Sequence, residues 1–418
     1  MLLIYLRNQP RRRRNAMKKL CLLSVVLYGL IWSVATVAGE GMVLIVKIVE
    51  RQSRAEASLM FEKLTLNAEW VPMASPKKKP GEPTLYELQV LNSEGSVIYS
   101  QGFNFIRHLE VPLPEPGSEK QEGPSRVELE EPEAVLVIPY LPEGKTVRVK
   151  GPKGTTPPLP IPAAPASSPS DSSEPSPPPA KEGNLYILLL ASGYSDMSDF
   201  QTKAQEVRDY LFSKEPFASR SSAVTISIYE NTANLGCNTG CYDVDRLMCC
   251  DSQKVIAAAV ASGQMYDEIV IIHNTATYSG GGYRDYGLYK TDSTYSYCQV
   301  YNGPYTAPMV LHEFGHSFGN LCDEYSYGSG EYSYYDCVNC QASCSDWADV
   351  SSGCQLSCDA RSDYYRPEDS IMNDLTISYY NQPSIHKSLV PKLNYFAPPT
   401  PETKRPAPVS IFQLLLLE

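Results

Sequence analysis

The sequence predicts a multidomain chain, with an N-terminal all-β immunoglobulin-like sandwich and a C-terminal α/β domain. Three observations predict this. Residues 41–153 hold short apolar, β-branched runs separated by turn signals, without helical periodicity. Residues 154–183 are dominated by Pro, Ser, Ala and Thr, a composition that cannot bury a core and that prolines keep extended. From residue 184 to 398, strand-like apolar runs alternate with helically spaced segments, the pattern of an α/β domain. Residues 399–418 read as a tail.

The first 38 residues carry seven basic side chains and no acidic ones. The run Arg11 to Arg14 leads into an apolar stretch from Leu20 to Ala38, with small residues at Ala35 and Ala38. This reads as a secretory signal, or as an N-terminal anchor where it stays uncleaved. An anchor would tether the protein to a membrane or cell surface. Without these residues the formal charge falls from −11 to −18. So acidic a chain repels phosphate backbones, which excludes nucleic acid as a partner.

In the sandwich region the expected strands are MVLIVKIV from Met42, YELQVL from Tyr86, SVIYSQGF from Ser96, AVLVIPYL from Ala134 and KTVRVKG from Lys145. Asn92 to Gly95 and Pro142 to Gly144 supply turns. His108 is the only histidine here, and a lone histidine reads as a core or surface residue rather than a ligand.

In the α/β region, LYILLLASG is a buried strand ended by Gly193, and DMSDFQTKAQEVRDYLFSKEPF is a helix with Asp199 near its start. AVTISIYE is a strand, SQKVIAAAVASGQ a helix ended by Gly263, and DEIVIIHN a buried strand followed by the glycine run Gly280 to Gly282. Seventeen of the 29 tyrosines fall in residues 278–380, where they read as aromatic packing for long loops. Eleven of the twelve cysteines lie between Cys237 and Cys358. The close pairs Cys337/Cys340 and Cys354/Cys358 would also suit a structural zinc, but in an exported chain such clustering favours disulfides. An odd number leaves one cysteine over.

The segment HEFGHSFGNLCDEY, His312 to Tyr325, bears the chemistry. Residues four apart on a helix share one face, so His312 and His316 can both reach one Zn2+. Glu313 then lies beside the metal's water as general base. Met309, Val310 and Leu311 fit a helix that buries its other face. Gly319 is expected to stop the helix in a left-handed conformation. The chain would then turn back and offer a third ligand from Cys322, Asp323 or Glu324. Carboxylates and thiolates both bind zinc; the carboxylates are preferred, because a thiolate would make the bound water less acidic and because Cys322 in an exported chain is a candidate for a disulfide.

With these motifs in hand, the chain resembles the IgA peptidase family, exported bacterial zinc metallopeptidases of metzincin type. The resemblance spans about Leu185 to Leu393. It rests on the opening strand and ASGYSDMSDF, on SKEPF, DEIVIIHNTATYSGGGY and HEFGHSFGNLCDEY, and on Ser370-Ile371-Met372-Asn373, which is similar to the metzincin methionine turn. It implies a C-terminal metzincin-like zinc metallopeptidase domain, with His312, His316 and Asp323 as metal ligands and Glu313 as base. Met372 would floor the site. Asn274 to Gly282 would be a rim strand and glycine loop beside the cleft, where a protein or peptide substrate pairs. Two features depart from the family pattern: Cys322 replaces a small residue, and the insert Cys337 to Cys358 is large.

The expected function is an exported zinc-dependent endopeptidase. Two other readings compete: an inactive binding protein on the same fold, disfavoured by the intact Glu313, and a zinc amidase acting on cell-wall peptides.

Overall fold

The computed structural model describes residues 42–51, 54–59, 64–65, 85–118, 124–161 (except 125, 140, 142 and 153), 185–283, 297–325, 337–358, 361–376 and 380–396. The expected signal, most of the Pro/Ser-rich stretch and the tail lie outside these residues. The described chain is mostly β-sheet with few helices.

The N-terminal part contributes β1 (Met42–Arg51), β2 (Arg54–Leu59), β3 (Leu64–Thr65), β4 (Tyr86–Leu91), β5 (Val97–Phe103), β6 (Ile106–Glu110), β7 (Arg126–Pro139), β8 (Thr146–Gly151), β9 (Gly154–Thr155) and β10 (Leu159–Pro160). β10, β8, β4 and β5 pair in that order, with β9 on β8. This sheet packs on β1 and β7 through Leu88, Val90, Phe103, Val147 and Val149 against Leu44, Val46, Ile48, Leu136 and Ile138. Sheet pairing thus continues through Pro160, inside the stretch read as a linker.

The C-terminal part runs β11 (Leu185–Ser192), α1 (Met197–Phe212), β12 (Val224–Tyr229), β13 (Asn238–Thr239), β14 (Met248–Cys249), α2 (Ser252–Ala261), β15 (Glu268–His273), β16 (Gly280–Tyr283), β17 (Tyr297–Tyr301), α3 (Thr306–Ser317), β18 (Cys354–Cys358), β19 (Arg361–Pro367) and α4 (Pro383–Phe396). β12, β11, β15 and β17 are parallel neighbours, and β16 is antiparallel to β17.

Side chains alternate across a strand, and β11 shows both faces at work. Ile187, Leu189 and Ala191 pack with Phe200, Ala204, Val207 and Leu211 of α1 and with α3. Leu188 and Leu190 face Val255, Ile256, Ala259 and Val260 of α2 on the other side. Burial on both faces explains the unbroken apolar run LYILLLA. The carboxylates of Asp196 and Asp251 cap α1 and α2 by accepting from the backbone N–H groups of Ser198, and of Gln253 and Lys254.

The two parts share one sheet. β16 pairs antiparallel with β6, Gly282 opposite Glu110 and Tyr283 opposite Leu109, so the order continues β16-β6-β7-β1-β2. β7 serves two cores. Ala134, Leu136 and Ile138 face the second sheet, while Val135 and Val137 join the α2 side.

Ten cysteines form five disulfides: Cys237–Cys250, Cys241–Cys249, Cys322–Cys337, Cys340–Cys358 and Cys344–Cys354. The Cys337/Cys340 and Cys354/Cys358 zinc alternative is therefore overturned, since all four sulfurs are taken up in disulfides. Cys298, buried in β17, is the eleventh. No helix among the described residues is long and apolar enough to cross a membrane.

Candidate metal centre

α3 carries His312, Glu313 and His316 and is buried almost all round. That explains its apolar make-up, since a helix inside a domain has no solvated face. Its first turn tolerates Pro308 because the missing N–H is unneeded there. His316 in the last turn sits where a helix favours positive charge.

The helix stops differently from the sequence expectation. The left-handed residue is Asn320, with φ 57°, and Gly319 does not have positive φ. Gly319 is needed for space: a Cβ there would sit well inside contact distance of the Gly315 carbonyl. Asn tolerates the left-handed region better than most residues. The N–H of Leu321 then bonds the Gly315 carbonyl at 3.0 Å, and the chain returns beneath the histidines.

That return brings Asp323 to the imidazoles. Its Oδ1 lies 3.3 Å from His312 Nε2 and 3.2 Å from His316 Nε2, and the two Nε2 atoms are 3.1 Å apart. A tetrahedral ion roughly 2.0–2.1 Å from each ligand would set such atoms about 3.3 Å apart. The triangle therefore fits a zinc-sized cation. The other ring nitrogens reinforce the fit. His312 Nδ1 meets the Ile371 carbonyl at 3.0 Å, and His316 Nδ1 meets the Leu321 carbonyl at 2.8 Å. A carbonyl only accepts, so each Nδ1 carries a proton, and Nε2 is the ring atom left to offer a lone pair to a metal once it is unprotonated. Two ring nitrogens and a carboxylate oxygen converge on one point, a donor set that could hold a metal ion.

Glu324 points away. Its Oε1 accepts from Asn339 Nδ2 at 2.8 Å and from Ser384 Oγ. Cys322 is tied to Cys337. Of the three candidates, only Asp323 is brought to the histidine pair. Its Oδ2 accepts from Tyr325 Oη at 2.7 Å. Tyr325 closes the quoted motif, but nothing in the sequence marked Asn339, which also accepts from Cys322 N–H and donates to the Cys322 carbonyl.

Glu313 is fully buried, and neither of its oxygens has a hydrogen-bond partner among the described residues. It lies against the glycine strand. A Cβ on Gly280 would stand 3.3 Å from Glu313 Oε1, and one on Gly282 would stand 3.2 Å from Oε2. These glycines let β16 approach the carboxylate. Burial, with Asp323 and Glu110 nearby, lifts Glu313 well above the usual carboxylate range against the pull of His316. Burial pulls His316 down, but Asp323 outweighs it and pushes the imidazole up to about 9. Burial lowers His312. Asp323 is held below its ordinary value: burial acts upward, and the two imidazoles overcome it.

Met372 lies under the helix, where a Cβ on Gly315 would come 2.7 Å from its sulfur. The Met372 carbonyl accepts from Glu324 N–H at 3.0 Å. The expected rim strand is β16, but its outer edge is not open. Gly280 N–H bonds the Arg246 carbonyl at 3.1 Å, and Gly282 and Tyr283 pair with β6.

Two residues from the N-terminal part also reach this region. Arg126 Nε lies 3.3 Å from Glu110 Oε1, and its Nη2 lies 3.7 Å from Cys322 Sγ. They stand about two hundred residues from the motif in sequence, with no local pattern to reveal them.

No curated protein matches the chain. Residues 175–342 match the family described as IgA Peptidase M64. That span holds the histidine pair, Glu313, Asp323 and the glycine strand. Over this span the chain is similar to the IgA peptidase M64 family.

Proposed function

We propose that the chain is an exported zinc-dependent endopeptidase, with His312, His316 and Asp323 as metal ligands and Glu313 as general base. The observation that carries this is the convergence of two inward-facing Nε2 atoms and Asp323 Oδ1, 3.1–3.3 Å apart, beside a buried carboxylate with no hydrogen-bond partner among the described residues. The match of residues 175–342 to a peptidase family supports a peptide or protein substrate. Two histidines and a carboxylate form a donor set that suits zinc.

Zinc, when bound, supplies a Lewis acid that acidifies water and polarises the scissile carbonyl. Glu313 accepts the proton of the attacking water and hands it to the departing amine. Its burial makes it a stronger base than an exposed carboxylate. The carbonyls of Ile371 and Leu321 hold the imidazoles in the tautomer that ligation needs. Tyr325 fixes the second oxygen of Asp323, leaving the first for the metal.

The parallel strands β12, β11, β15 and β17, the antiparallel β16, the helix α3 and Met372 beneath it support a metzincin-type domain over residues 184–398, behind a sandwich over 41–153. Five disulfides support an oxidising destination, and the basic and apolar N-terminus supports export or anchoring.

The test compares wild type with Glu313→Gln for zinc content and for cleavage of a peptide library. One zinc per chain in both, with cleavage by wild type alone, supports the reading. Equal cleavage by both removes Glu313 from the chemistry. Full zinc with cleavage by neither favours a binding protein, and cleavage confined to wall peptides favours an amidase.

A further inference from the structure

A hydrolase must let a peptide reach its metal, yet His312, Glu313 and His316 are 0% exposed and Asp323 is 1% exposed. Among the described residues, Leu109 and Glu110 occupy the Gly282–Tyr283 part of the backbone edge next to Glu313, and Arg246 and Leu247 occupy the Gly280 part. Glu313 sits under Gly280 and Gly282 of β16. The outer edge of β16 pairs with Leu109 and Glu110 in antiparallel register. An extended peptide recognised by strand addition would need that edge.

The segment is fastened there. Arg246 Nε donates to the Pro112 carbonyl at 2.7 Å, and its Nη2 donates to the Pro124 carbonyl at 3.3 Å. Tyr278 Oη donates to the Leu113 carbonyl at 2.8 Å. Val111 is wholly buried, and Leu113 joins the core that contains α3. Glu110 pairs with Arg126, which reaches Cys322 beside Asp323. Beyond Pro114 the chain rises to an exposed turn at Glu115 to Ser118, which gives the segment a handle in solvent.

We propose that Leu109–Leu113 is a built-in cover of the metal centre. It occupies the Gly282–Tyr283 part of the β16 edge, where an extended peptide would pair, and so keeps cleavage by the folded chain slow until this segment is displaced. The proposal rests on the metallopeptidase reading. Arg246 and Tyr278 act as its fasteners, not as catalytic residues.

The test uses the full chain with Arg246→Ala and, as a variant that keeps the ring packing, Tyr278→Phe. Zinc content is measured first, then the rate of zinc loss to a chelator, then cleavage of a mixed fluorogenic peptide library. Each variant should hold one zinc, lose it roughly tenfold faster and cleave roughly tenfold faster. Tenfold is about the shift expected from losing the single hydrogen bond of Tyr278, and Arg246→Ala, which loses two, should shift at least as far. Folded, zinc-loaded variants that lose metal and cleave at wild-type rates overturn the cover while leaving the metal reading intact. A wild type that takes up no zinc overturns both.

Discussion

Gly282 backs directly onto Glu313. A methyl group on Gly282 would stand 3.1 Å from the Glu313 carbonyl oxygen, 3.2 Å from Oε2 and 3.2 Å from His316 Cβ. The strand and the helix are thus as close as a residue without a side chain allows. In Gly282→Ala, α3 or β16 has to yield by a few tenths of an ångström. Small displacements of a general base are costly in rate, so turnover should fall roughly tenfold with zinc stoichiometry unchanged. Metal analysis beside steady-state kinetics checks this; an alanine variant as fast as wild type would show that the close approach has no bearing on Glu313.

Asp323 and Glu324 are neighbours whose side chains go to different places, Asp323 to the two histidines and Glu324 to Asn339 and Ser384. Asp323→Ala should weaken zinc binding by more than about a hundredfold, the loss of a ligand outweighing the usual effect of an outer partner. Glu324→Gln keeps an oxygen for Asn339 and Ser384 and should hold zinc within roughly tenfold of wild type. Competition against a chelator measures both. Tighter dependence on Glu324 than on Asp323 would reverse the assignment.

The turn after α3 makes a paired prediction. Gly319→Ala forces a side chain against the Gly315 carbonyl and should cost about 2–4 kcal/mol. Asn320→Gly suits the left-handed backbone at φ 57° and should cost less than about 1 kcal/mol. Denaturant melts of the two variants give the comparison, and a reversed order would mean that the close approach at residue 319 is relieved at little cost.

Protons compete with the metal. His316 is held at about 9 in the metal-free protein, since Asp323 outweighs the burial that pulls it down. Below that pH the imidazole is protonated and zinc must displace the proton. Zinc affinity should therefore climb by about tenfold per pH unit between 7 and 9 and then level off, with about one proton released per zinc near pH 7.5. Calorimetry in buffers of different ionisation enthalpy counts that proton. The raised folded value also sets the stability of the metal-free chain. Its contribution is whole below the ordinary histidine value of 6.5 and is lost as pH rises through about 9. Chelator-treated protein should melt progressively lower across that window, and a flat profile would contradict it.

What the sequence disclosed, and what it hid, follows from range. His312 and His316 are four apart, so local helix geometry alone puts them on one face. β11 announced itself by an apolar run long enough for two covered faces. The helix stop was placed one residue early: both Gly319 and Asn320 suit a turn, and only the packing of Gly319 on Gly315 separates them. The choice of Asp323 over Glu324 depends on Asn339 and Ser384, which draw Glu324 aside from 15 and 60 residues away. The pairing of β16 with β6 involves two residue pairs between segments about 170 positions apart, and the charged stretch IRHLE shows no strand alternation. Disulfide partners are combinatorial and cannot be read from spacing.

Because β7 lends one face to each core, the two halves of this chain cannot come apart without stripping apolar side chains from both. The proline-rich stretch looks like a seam at which a gene could be trimmed, yet β16 and β6 pair across the two halves. A truncated product starting there would lack the strands that cover the α2 side and would offer a raw sheet edge to its neighbours. Expression of the metal-binding half alone should yield aggregates, while the intact chain should unfold in a single calorimetric transition.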